Sequence, residues 1–194
     1  IIECRVTVDD GVDSDTDSAS TSISNRDPVI TDVSISPDPA YNSDTLNCTA
    51  TNEDIDGTVA TPIYTWEDAS SNSLGSGDSL DLSTLSLEPS DIVVCKASVT
   101  DNIAVVNDQT QTELGNRLPT IASVSITPDP AVVSDDLLCS YSGEQDADGD
   151  PIGVDYAWSV GGIDQGVNSD TLPSGIFAKG QEVICSVTPF DTRE

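Results

Sequence analysis

An internal repeat constrains this chain more than any other feature. The stretch DPVITDVSISPDPAYNSDTLNC (residues 27–48) aligns without a gap on LPTIASVSITPDPAVVSDDLLC (residues 118–139), matching Pro28 with Pro119, Pro37 with Pro128 and Cys48 with Cys139, each 91 residues on. Trp66 and Trp158 lie 92 apart, and Cys95 and Cys185 lie 90 apart. The register therefore drifts by one residue where loops differ. The same spacing sets Cys4 on Cys95 and Asn25-Arg26 on Asn116-Arg117. A repeat of this length reads as a duplicated domain. The expected organisation is residues 1–25 as the closing strands of an earlier copy, residues 26–116 as one copy, and residues 117–194 as a copy without its last strand.

Each copy reads as all β. Alternation of apolar and polar residues marks Val33–Ile35, Leu46–Ala50, Tyr64–Trp66 and Val93–Val99, and Pro, Gly, Asn and Asp cluster between them. Leu46, Cys48 and Ala50 share one face, as do Val93, Cys95, Ala97 and Val99, so both cysteines of a copy point inward. Short strands in a unit of about 91 residues fit a sandwich of two antiparallel sheets. The Ser-rich stretch at 13–24 could pass for a flexible linker, but its offset onto VNDQTQTELG makes it a closing strand instead.

Charge narrows the possible partners. With 35 acidic against six basic residues and a net charge of -29, the chain repels nucleic acid and anionic membrane surfaces, and neither binding nor insertion of this segment is expected. No run approaches the ~20 apolar residues that span a bilayer. Twenty-seven of the acids are Asp and eight are Glu; short carboxylates in loops suit Ca²⁺, or else form the solvated surface of a salt-adapted protein. The chain has no His, hence no Ser-His or Cys-His nucleophile, and no phosphate-cradling Gly-rich loop. Catalysis by carboxylates would need a spaced pair in a cleft, and no enzyme is expected.

Cys48, Trp66 and Cys95, then Cys139, Trp158 and Cys185, resemble the Cys, Trp, Cys pattern of immunoglobulin-like domains. Only 29 residues separate Trp66 from Cys95, which implies a compact version with strands missing in between. With VTDN or VDDG endings and NRxP joints, the chain is similar to the PKD-like and cadherin-like repeats of large bacterial surface proteins. The resemblance implies disulfides Cys48–Cys95 and Cys139–Cys185, each packed against its tryptophan, with Cys4 left over. Free buried thiols are the alternative; zinc is disfavoured, since there is neither His nor CxxC. Disulfides imply an oxidising compartment, and the expected location is extracellular, at a cell surface.

In that fold the loops after the two cysteine strands emerge at one pole, where the chain enters. Asp146, Asp148, Asp150, Asp191 and Asn116 are then expected to converge at one junction and hold Ca²⁺, as are Asp54, Asp56, Asp101 and Asn25 at the other, where Thr58 replaces the third aspartate. The competing reading is that DxDG forms a tight turn with Asp side chains capping backbone amides.

The expected function is a structural stalk or filament segment of an adhesin or surface fibre, its partners being neighbouring repeats of the same chain and other copies in a fibre. The alternative is a module of a secreted protein or virus fibre that binds glycan or protein. The segment is expected to be cut from a continuous array, in preference to strand exchange in which residues 1–25 of a neighbour complete the last copy.

Overall fold

A computed structural model describes residues 1–57 and 61–193 of the chain. Every sheet pairing given by register is antiparallel, and the sole helical element among the described residues is a three-residue 3-10 turn, Leu82–Thr84. The all-β expectation holds. Asp81 caps that turn, its carboxylate accepting from the Ser83 N–H. Thr58, which interrupts the first aspartate series, lies outside the described residues.

By packing the chain divides into two compact units, Ile1–Ser36 with Asn47–Leu80 and Val94–Gln111, and Pro37–Leu46 with Asp81–Val93 and Thr112–Glu194. The first begins with a hairpin of β1 (Ile2–Asp9) and β2 (Ser14–Thr21), exposed at every position and carrying the free Cys4. Gly11, at φ +87°, and carboxylates of Asp9 and Asp10 that accept the next backbone N–H groups close its turn.

Two sheets follow. One runs β3 (Val29–Ser36), β4 (Thr45–Glu53), β7 (Ser79–Asp81); the other runs β6 (Ser73–Ser76), β5 (Ile63–Asp68), β8 (Ile92–Thr100), β9 (Val105–Glu113). Within the first unit the Cys48–Cys95 disulfide joins β4 to β8, with Cα atoms 6.4 Å apart. Trp66 is fully buried and donates Nε1–H to Gly77 O at 2.9 Å. The short run from Trp66 to Cys95 carries just two short strands and the 3-10 turn, the compact arrangement that the spacing implied.

The second unit holds another sheet pair. Strands β10 (Ser123–Thr127), β11 (Leu137–Ser142) and β14 (Thr171–Leu172) form one sheet, and β13 (Ile163–Asp164), β12 (Gly153–Val160) and β15 (Val183–Phe190) form the other. Cys139 on β11 bridges Cys185 on β15, Cα atoms 6.3 Å apart. Around that bridge Leu137, Trp158, Val160 and Leu172 form the core, and Trp158 Nε1 donates to Ser169 O at 2.9 Å. Each tryptophan thus closes on a carbonyl eleven residues ahead, which satisfies its one donor inside an apolar core.

Candidate functional site

The residues with chemistry sit where the chain passes through Asn116 and Arg117. Asn116 Nδ2 donates to Asp191 Oδ2 at 3.0 Å, and the other Asp191 oxygen accepts the Arg193 N–H at 2.8 Å. Asp191 is itself buried, 4% exposed. The Asn116 amide, followed by the Arg193 N–H, holds its carboxyl below the usual aspartate range.

The DADGD loop is built around Asp146. Its Oδ1 accepts the N–H groups of Asp148, Gly149 and Asp150 at 2.8, 2.9 and 3.1 Å, and Gly149 adopts φ +87° to make this possible. A Cβ at that φ is strained. The loop so made turns Asp148 inward, where its side chain is 0% exposed and pairs with Arg117. Arg117 Nε and Nη2 both reach Asp148 Oδ1, at 2.9 and 2.7 Å, and the Arg117 backbone N–H reaches Oδ2 at 2.6 Å. Asp150 takes Arg193 Nε at 2.9 Å.

Both arginines also hold residues from well before the linker. Arg117 Nη2 donates to Asn42 Oδ1 at 2.9 Å, its guanidinium lies 4.9 Å from the centre of the Tyr41 ring, and Asn42 Nδ2 returns a bond to Asp148 O. Arg193 donates to Pro89 O at 3.1 Å and pairs with Glu88. All of these residues belong to the second compact unit. Planar guanidinium groups that combine carboxylate pairing with stacking on a ring are suited to such positions, where lysine would do only part of the task.

The structure thus brings Asn116, Asp146, Asp148, Asp150 and Asp191 into one hydrogen-bonded network, in which Asp146 caps backbone N–H groups as the tight-turn reading expected. Arg117, Arg193, Tyr41, Asn42 and Glu88 were missed as members of it. A signal existed: in a chain with only six basic residues, an arginine that recurs as Arg26 and Arg117 is conspicuous.

The first unit contains a plainer version. Asn25 Nδ2 donates to Asp101 Oδ2 at 2.7 Å, the Arg26 N–H to Asp56 Oδ2 at 2.9 Å, and the Asp56 N–H to Asp54 Oδ1 at 3.2 Å. Asp101 is held below the usual range by the Ala104 N–H first, then by the Asn25 amide.

Among the described residues no three His, Cys, Asp or Glu side chains are arranged to hold a metal ion. Three buried side-chain oxygens of the second network nevertheless accept no hydrogen bond: Asn116 Oδ1, Asp146 Oδ2 and Asp150 Oδ2. No buried oxygen of this kind occurs around Asn25 among the described residues. No family model matches the chain, and no curated protein matches it.

Proposed function

We propose that the chain is a segment of an extracellular structural array of immunoglobulin-like β-sandwiches, spacing a distant part of its parent protein away from a cell surface. The observation that carries this reading is recurrence. Asn25 to Asp101 and Asn116 to Asp191, Arg26 to Asp56 and Arg117 to Asp148, Trp66 to Gly77 and Trp158 to Ser169 are the same bonds made twice. Bonds that recur in this way favour a part made to be strung in series. The disulfides lock each unit in an oxidising environment, and none of the described helices is long and apolar enough to cross a membrane.

A Ca²⁺ ion belongs to the same reading. Asn116, Asp146 and Asp150 would hold it through the oxygens that accept no hydrogen bond, a set of hard ligands suited to this ion. It would add positive charge at Asn116 Oδ1 and Asp146 Oδ2, and at Asp150 Oδ2 it would share the oxygen with Arg193, whose Nε lies 2.9 Å away. The joint is thus held by arginine and stiffened by calcium.

Two measurements test the proposal. Millimolar Ca²⁺ raises the melting temperature of the wild type over that in chelator, and the Asp146→Asn, Asp150→Asn double variant loses the increase. Glycan and peptide arrays probed with the oxidised protein show no saturable ligand. Both tryptophans are buried and Tyr41 lies against Arg117, which leaves few aromatic faces for a sugar. Saturable glycan binding instead supports a recognition module.

A further inference from the structure

Two of the four tyrosines meet inside the second unit. Tyr141 lies on β11, two residues beyond Cys139 and on the same face, and Tyr156 lies on β12, two residues before Trp158 and on the face of that ring. β11 and β12 belong to different sheets. Their phenol rings stand with centres 6.4 Å apart and planes tilted by 55°, in the range at which aromatic rings touch. Tyr156 packs against the core, and both residues are half-buried, within reach of a small oxidant. Burial first, then Tyr141 and the Asp170 carboxylate, hold the Tyr156 hydroxyl above its ordinary value, which agrees with phenol groups drawn close together.

The first unit has no such pair. Ala50 stands 91 residues before Tyr141, and Tyr64 stands 92 before Tyr156. There the Tyr64 hydroxyl accepts the Ala50 N–H at 2.9 Å, so the phenol meets backbone where the second unit offers it another ring. Between Tyr141 and Tyr156 runs the loop that carries Asp146, Asp148 and Asp150.

We propose that Tyr141 and Tyr156 are a modification site, joined by a carbon–carbon bond when the protein meets a one-electron oxidant of the haem-peroxidase class. Each phenol gives up one electron and one proton, and the two phenoxyl radicals couple through ring carbons next to their oxygens. The hydrogen on each coupled carbon then moves to the oxygen of its own ring, restoring both phenols. Two electrons and two protons leave in all, and hydrogen peroxide takes them up to become two waters. The bond ties the two sheets at a second point and closes the base of the DADGD loop, bracing it independently of the Cys139–Cys185 bridge.

The test uses the full chain, with Cys4 alkylated so that its free thiol cannot quench the radicals, and a haem peroxidase fed limiting hydrogen peroxide at low protein concentration. The expected product is a monomer two hydrogens lighter, with dityrosine fluorescence and a digest in which the peptides of Tyr141 and Tyr156 are joined. Tyr141→Phe and Tyr156→Phe, which keep the rings, each lose that product, whereas Tyr41→Phe and Tyr64→Phe keep it. The proposal is overturned if either of the first two variants still yields the cross-linked monomer. It is equally overturned if the wild type couples only into dimers or not at all, or if unfolding the chain in denaturant leaves the yield unchanged.

Discussion

Arg117 closes both its Nε and its Nη2 on a single oxygen of Asp148, while its own backbone N–H takes the other oxygen. The Asp148 side chain is wholly shielded and the Arg117 side chain is 28% exposed. Removing one member of a buried pair leaves a charge with no compensation, at about 3–5 kcal/mol.

Arg117→Ala is therefore expected to destabilise the chain by roughly 3 kcal/mol or more, read from the denaturant midpoint. Arg117→Lys recovers only part, since an ammonium cannot reach Asp148, Asn42 and the Tyr41 ring together. A fully stable Arg117→Ala variant means that the pair is incidental.

Acid should loosen this network. Asp191 titrates below its ordinary value because the Asn116 amide and the Arg193 N–H favour its charged form. Its contribution is therefore complete above the unfolded aspartate value of about 3.9 and is lost as pH falls through the lower folded value. In Asn116→Ala the Asp191 carboxyl titrates higher, followed by carboxyl NMR, and acid unfolding begins at a higher pH. An unmoved titration contradicts the role given to Asn116.

Counting thiols checks the covalent frame. Denatured without reductant, the protein should show one reactive thiol, Cys4. Paired Cys→Ala replacement of Cys48 and Cys95, which close a loop 47 residues in span, should cost about 4 kcal/mol. Four or five reactive thiols contradict the oxidised frame.

Much of this could be read from the sequence because covalent and apolar patterns are local. Inward parity marked Cys48 and Cys95 before any pairing was known, and Trp66 and Trp158 recur in step with them. The convergence of Asp148 and Asp191 on the Asn116 linker was also legible, since sandwich topology fixes which loops share a pole. What filled the space between the carboxylates was not. Arg117 reaches Tyr41, 76 residues earlier, and Arg193 reaches Glu88, 105 residues earlier; a long flexible side chain carries no periodicity that reveals its partner.

Each disulfide shortens what the chain can yield under load. Pulling single molecules by residues 1 and 194, oxidised and then reduced, measures this. Reduction should lengthen the fully extended chain by roughly 160 Å per disulfide, taking ~3.4 Å for each residue released from its loop. Equal extended lengths in the two states would mean that the disulfides do not limit extension.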